Sequence, residues 1–355
     1  MEKNAKIFIA GHKGLVGSAI LRKLTQAGFT NLLLRSKFEL NLINQEQTNL
    51  FFKKEKPDYV FLAAAKVGGI MANQSYPAEF AYNNLMIACN VINASYNSGV
   101  KKLLNLGSSC IYPSQAPQPM KEEYLLTGEF EKTNEAYAIA KFAALKLCSY
   151  YNQQYGTNFV SVLPTNIYCA GDNFNMQTAH ALPTALRRFH LAKLLNKKDW
   201  KTIKSDLQKY KLGFGLDENI DFNDNVSIEK ALNSVGAYND KVVLWGDGSA
   251  YREWMSCDDL AAACLYIMQN KNYKDIGETI NITSGTDIEL KDLFKMIKEI
   301  VGFEGYIEYD KTKPNGMRRK LMDAKRISAF GWQPKIGLKE GIIACYQSYL
   351  NVINK

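Results

Sequence analysis

Lys6-Ile7-Phe8-Ile9-Ala10-Gly11-His12-Lys13-Gly14-Leu15-Val16-Gly17 decides the fold of this chain. Ile7 to Ala10 form a short apolar run of the kind a strand buried on both faces requires. Glycine follows at 11, 14 and 17. Ile20, Leu21 and Leu24 then recur at helical spacing until Gly28, and Leu32-Leu33-Leu34 starts a second apolar run. This is a βαβ unit with GxxGxxG at its first strand-to-helix turn. Glycines there permit a tight turn and a close backbone approach to a pyrophosphate, which the helix N-terminus attracts. Gly11, His12, Gly14, Leu15, Val16 and Gly17 are therefore candidate dinucleotide contacts. A chain that binds NAD carries Asp or Glu at the end of the second strand, whereas this one carries Arg35-Ser36-Lys37. Two cations and a hydroxyl match a 2′-phosphate, so Arg35 and Ser36 point to NADP, used as NADPH.

The alternation continues outward. Pro57 to Ala65 reads as another buried strand whose small end, Ala63 and Ala64, lets a cofactor pass; Lys66 to Ile70 follows as a loop. Tyr82–Ser98 reads as a helix, Lys102–Leu106 as a strand, the stretch around Tyr137 as a helix stopped by Gly156, and Phe159–Leu163 as a strand. The fold expected is α/β: a Rossmann-type doubly wound parallel sheet with a smaller mixed α/β substrate-binding domain. The sheet domain takes residues 1–168 plus about 250–284, and the smaller domain 169–249 plus 285–355. Within the latter, 193–241 is rich in Lys, Asp and Asn, with one amphipathic helix from Trp200 through Ile203 and Leu207 to Tyr210.

Composition narrows the class. Of 355 residues, 46% are hydrophobic and 22% charged, which suits a globular protein and not a disordered one. No run approaches the roughly 20 apolar residues of a membrane helix, and the N-terminus lacks a signal-peptide pattern. Seven scattered Cys without CxxC spacing read as reduced thiols in a cytoplasmic protein, and three His argue against a His-based metal site. The net charge of +9 is spread along the chain with no basic block, so a solvated basic surface is expected in place of nucleic-acid binding.

The chemistry is read from Gly107 to Lys141. Gly107-Ser108-Ser109-Cys110-Ile111-Tyr112-Pro113 follows a strand, and Tyr137-Ala138-Ile139-Ala140-Lys141 lies in a helix. Residues four apart share a helix face, so the Lys141 ammonium is expected to lower the Tyr137 phenol from its usual value near 10 and ready it as a proton donor. Ser108 would hold the substrate carbonyl. An isolated Tyr and Lys at this spacing are an ordinary surface pair; the dinucleotide signature upstream makes them a reductase site.

These residues resemble the extended short-chain dehydrogenase/reductases, and within them the GDP-L-fucose synthases. The resemblance covers nearly the whole chain. It rests on GHKGLVGSA at 11–19, LAAAKVGGI at 62–70, LGSSCIYP at 106–113, NEAYAIAK at 134–141, LPTNIY at 163–168, DNF at 172–174, LRRFH at 186–190 and RKLMD at 319–323. It implies a reductase triad of Ser108, Tyr137 and Lys141, with Cys110 and His180 as the acid/base pair that epimerises C3 and C5 of a 4-keto sugar. A keto group acidifies the hydrogens on both neighbouring carbons, and inversion takes a base on one face and an acid on the other. The resemblance also implies cofactor contacts at Ala63, Ala64, Leu106, Gly107, Tyr137, Lys141, Pro164, Asn166 and Ile167. Substrate contacts fall at Ser109, Asn166, His180, Arg188, Trp245 and Arg252. The substrate implied is a GDP-linked 4-keto-6-deoxy sugar for surface polysaccharide, and the assembly a homodimer through Tyr82–Ser98 and Glu135–Tyr155.

Two departures stand out. Tyr168-Cys169-Ala170-Gly171 replaces a tyrosine-glycine-proline turn, and 193–241 reads as an insertion that could cover the sugar as a lid or form a subunit contact. They leave room for a longer sugar, such as a GDP-linked 6-deoxy-4-keto-heptose, reduced at C4 with epimerisation done elsewhere. An NADP-binding regulatory protein is the non-enzyme alternative, and the intact triad argues against it.

Overall fold

A computed structural model describes residues 1–313 and 317–354. The chain divides into two compact units. The first holds Met1–Ile167, Met255–Gly285 and Leu321–Lys335; the second holds Tyr168–Trp254, Thr286–Lys320 and Ile336–Lys355. The sequence division does not foresee the return of Leu321–Lys335 to the first unit.

Six parallel strands form the centre of the first unit. Their order is Leu32–Leu33, Ile7–Ala10, Tyr59–Leu62, Lys102–Leu106, Phe159–Pro164 and Ile280–Ile282. The strand order reverses between Ile7–Ala10 and Tyr59–Leu62, where Ile9 pairs with Phe61 and Ala10 with Leu62. In open α/β sheets ligands bind outside the carboxyl ends of the strands at such a point. The sheet is doubly wound, as its apolar runs require. The helix expected from Tyr82 starts earlier and spans Pro77–Asn97. Pro77 fits there because the first helical position needs no N–H bond. The helix buries Phe80, Asn84, Ala88, Val91, Ile92 and Ser95 along one stripe, the spacing that turns one face inward.

The second unit is built around the helix Ala181–Asn196, which buries Leu182, Ala185, Leu186, Phe189 and Leu195. Segment 193–241 is built into the core of this unit. It holds the helices Trp200–Lys209 and Asn225–Ser234, and its Ile203, Leu207, Leu212, Ile228 and Leu232 join the same apolar core as Phe174, Leu186, Phe189, Ile297 and Tyr349. Burying a side chain of that size contributes about 1.5–3 kcal/mol, so this segment is part of what holds the unit together. Asp199 caps the first helix by accepting from the Thr202 N–H at 3.1 Å, and Asp224 caps the second through the Val226 N–H at 2.9 Å.

A buried ion pair ties this segment to the core. Arg187 and Asp206 are fully buried, with Nη2 2.7 Å from Oδ1. The other guanidinium protons reach Asp206 again and the carbonyls of Phe174, Tyr210 and Lys211 at 2.7–3.0 Å. Tyr349 donates to the second Asp206 oxygen. Every donor of the guanidinium is satisfied, the condition for burying such a charge.

Cys89, Cys110, Cys148, Cys264 and Cys345 are thiols, as expected. Cys169 and Cys257, expected as thiols too, are each in a disulfide, which the cysteine spacing does not reveal. Among the described residues no helix is long and apolar enough to cross a membrane.

Candidate active site

Strand Lys102–Leu106 ends at Gly107, and the chain turns through a single 3₁₀ turn, Ser109–Ile111. Ser108 caps that turn: its Oγ accepts the Cys110 N–H at 3.3 Å. Helix Glu135–Tyr155 presents Tyr137 and Lys141 on one face toward it. The buried Lys141 Nζ donates to the Leu106 carbonyl at 2.7 Å and lies 5.8 Å from the Tyr137 ring centre. The Ser108 side chain and Cys110 are both close enough to the Tyr137 phenol to act on its electrostatics, and Cys110 acts on Lys141 as well. Ser108, Cys110, Tyr137 and Lys141 thus converge, while Ser109 is buried.

The electrostatics correct one expectation. Burial pushes the Tyr137 phenol well above its ordinary value; Cys110 adds to the rise and the Ser108 side chain opposes it. Burial outweighs any pull from Lys141, whose ammonium is directed to the Leu106 carbonyl. The phenol therefore stays neutral, the form that donates a proton. Burial lowers Lys141 to about 8, with Cys110 opposing the fall.

The glycine turn is formed as the sequence reading expects. Gly11 has φ +87°, and a Cβ there would stand 2.8 Å from the Ala64 backbone; a Cβ on Gly17 would stand 2.1 Å from the Gly11 carbonyl oxygen. Helix Leu15–Gln26 starts at Gly14 with no side chain capping it, and Val16 lies in its first turn. Its first N–H groups are left for an anion. His12 Nδ1 nearby is buried with no partner among the described residues. These features fit a dinucleotide pyrophosphate. Leu106 ends one adjoining strand and Gly107 follows it, Ala63 and Ala64 follow another, Pro164 ends a third, and Asn166 and Ile167 come just after that one. Gly17→Ala is expected to abolish NADP binding measured by calorimetry, since the clash is with backbone; unchanged affinity would refute the close packing.

Arg35 and Ser36 do not stand idle. Arg35 Nη2 is 3.0 Å from Glu55 Oε1, and the Ser36 N–H donates to Glu39 Oε2 at 2.7 Å.

Two residues the sequence reading missed shape the site. Asn84 lies on the buried stripe of its helix and clasps Lys66: Oδ1 accepts the Lys66 N–H at 2.8 Å, and Nδ2 donates to its carbonyl at 3.0 Å. It fixes the loop after Ala65 and lines a small pocket with Ala64, Asn105 and Lys141. The Tyr112 hydroxyl donates to Asn281 Oδ1 at 2.7 Å, anchoring the turn that carries Ser108 and Cys110. A polar residue inside an apolar helical stripe was the available signal for Asn84; nothing local marks Asn281.

In the second unit, His180 occupies the N-cap of helix Ala181–Asn196 without a side-chain cap bond. Its crowded surroundings and then Lys320 lower its pKa, an effect that solvent at the exposed residue moderates. Arg188 is buried and donates to the Val235 carbonyl at 2.7 Å; burial lowers its pKa to about 10. Trp245 ends strand Lys241–Trp245, is 41% exposed, and has Lys313 over its ring at 5.7 Å. Arg252 lies on strand Tyr251–Ser256 opposite Ile288 and Lys320. In the departing turn, Asp172 accepts the Cys169 and Asn173 N–H groups at 3.2 and 2.7 Å, and burial raises its carboxyl to about 7.

Known proteins bear on this arrangement. The model of the NAD dependent epimerase/dehydratase family matches residues 7–217 and 218–283. A putative GDP-L-fucose synthase 2 of Arabidopsis thaliana is 47% identical over 356 residues, covering 100% of this chain and 95% of its own length. Among solved structures, a GDP-6-OMe-4-keto-L-xylo-heptose reductase from C. jejuni is 40% identical with a TM-score of 0.91, over 99% of each chain. A GDP-mannoheptose C4 reductase from Campylobacter jejuni, with NADP bound, is 41% identical with a TM-score of 0.87, over 98% of this chain and 99% of its own. On the match along the chain and the glycine turn, serine turn and tyrosine–lysine helix together, this chain belongs to the NAD dependent epimerase/dehydratase family, beside the GDP-L-fucose synthases.

Proposed function

We propose that the chain is an NADPH-dependent oxidoreductase that reduces C4 of a GDP-linked 4-keto-6-deoxy sugar, with epimerisation at C3 and C5. The observation that carries this is the convergence of Ser108, Tyr137 and Lys141 at the end of a strand, with Cys110 beside them. NADPH, when bound, supplies the hydride. Ser108 holds the carbonyl oxygen, and the neutral Tyr137 phenol protonates it as negative charge develops there. Lys141, anchored on Leu106, offsets the charge left on the phenolate. The first N–H groups of helix Leu15–Gln26 receive the pyrophosphate.

Epimerisation uses the same oxygen. Cys110 takes the proton from a carbon next to the carbonyl, Tyr137 and Ser108 stabilise the enolate oxygen, and His180 returns a proton to the opposite face. A thiol beside a cation such as Lys141 can do this, because the cation favours the thiolate. Arg188 and Arg252 take the diphosphate in this reading, since a planar guanidinium grips phosphate through two bonds, and Trp245 walls the sugar.

The kinship to the two Campylobacter heptose reductases favours a second reading, C4 reduction only, on a GDP-linked 6-deoxy-4-keto-heptose. Deuterated water separates the two. With GDP-4-keto-6-deoxymannose and no NADPH, the epimerase reading expects deuterium at C3 and C5. Cys110→Ala and His180→Asn should each slow that exchange by roughly 10²-fold while reduction of a substrate already epimerised continues. Wild-type protein that reduces without exchange would leave only the reductase.

A further inference from the structure

The donors at the end of the second strand are occupied by the chain's own acids. Glu39 Oε2 accepts the Ser36 N–H at 2.7 Å, and the Ser36 side chain also acts on that carboxylate. The turn is closed separately by backbone: the N–H groups of Glu39 and Leu40 donate to the Ser36 carbonyl at 3.0 and 2.9 Å. Arg35 is held by Glu55 and by the Leu34 carbonyl, at 3.0 and 2.9 Å. Glu39 itself is exposed. Its hydrogen bonds to Ser36, and after them the Arg35 and Lys13 charges, keep its carboxyl below the usual range, so it is an anion at working pH.

A carboxylate that accepts the Ser36 N–H, with Arg35 and Lys13 acting on its charge, stands where a ligand phosphate would be received. We propose that Glu39 is an internal stand-in for the 2′-phosphate of the cofactor: binding exchanges carboxylate for phosphate on Ser36, and Glu39 sets how strongly a 2′-phosphorylated nucleotide is preferred. The proposal rests on the NADP reading above. Because the backbone bonds of the turn do not involve the carboxylate, the turn survives its departure. Because Glu39 is exposed, its side chain swings into water and leaves no cavity. What opposes the phosphate is the lost Ser36 contact plus repulsion from the displaced anion.

An ordinary capping role is the rival, since Ser-x-x-Glu also describes a capping box. Glutamine caps as glutamate does, so Glu39→Gln isolates the charge. Calorimetry on the full chain would compare adenosine 2′,5′-bisphosphate with 5′-AMP for wild type, Glu39→Gln and Glu39→Ala. Both variants should bind the bisphosphate roughly three- to fivefold more tightly, with 5′-AMP unchanged and the gain shrinking at high salt. Unchanged or weaker binding of the bisphosphate by Glu39→Gln overturns the proposal, and so does a tightening shared equally by 5′-AMP. A wild type with no preference for the bisphosphate would overturn the NADP reading itself, and this proposal with it.

Discussion

Tyr137→Phe should lower NADPH oxidation with a GDP-4-keto sugar by roughly 10²- to 10⁴-fold and leave the affinity for NADP unchanged. The substitution removes one hydroxyl and keeps the ring, so the contact with Phe80 at 6.4 Å between ring centres persists. What is lost is the proton donor beside Ser108. The pH profile adds a second readout. Burial brings Lys141 to about 8, so its ammonium is present below that pH and lost above it. If that charge offsets the phenolate formed in turnover, kcat falls as pH rises through about 8. The phenol, pushed upward, contributes no break below that point. A Tyr137→Phe protein retaining a tenth or more of wild-type kcat would remove Tyr137 from the chemistry.

The second large effect concerns stability. Asp206→Asn or Arg187→Met should each cost about 3–5 kcal/mol, because one partner of a fully buried pair is left without its counter-charge. Asp206→Asn also weakens the hydrogen bond from Tyr349. The double change Arg187→Met with Asp206→Leu should cost much less than the sum of the single changes, since apolar groups need no partners. Urea midpoints followed by tryptophan fluorescence would test this. Additive losses would mean the two residues act independently.

Much of the first unit is legible because its signals are local. Alternating apolar runs and glycine stops mark the strands and helices, and Gly11, Gly14 and Gly17 announce the turn for which they are needed. Ser108, Tyr137 and Lys141 were readable from motif spacing, whereas the electrostatics were not. The direction of the Tyr137 shift is set by its burial, which depends on packing between elements distant in the chain, and the Lys141 ammonium is directed by the Leu106 carbonyl, thirty-five residues away in sequence. Helix Asn225–Ser234 escaped because its apolar positions, Ile228, Ala231 and Leu232, are few and sit among Asp and Asn. Asn281 escaped for a different reason: its importance lies in Tyr112, Met120, Glu122 and Asp323, all distant in the chain, which it joins.

The way the chain is divided has a consequence for its synthesis. The first unit takes back Leu321–Lys335, with Met120 bridged to Met322, and the second closes its core with Ile342, Cys345, Tyr346 and Tyr349. Neither unit is complete when the ribosome has made the first 300 residues. Until then the apolar faces that will meet the last helix, Leu338–Ile353, are open to water and to other chains. Closure of both units therefore waits on segments made late, Leu321–Lys335 and Leu338–Ile353.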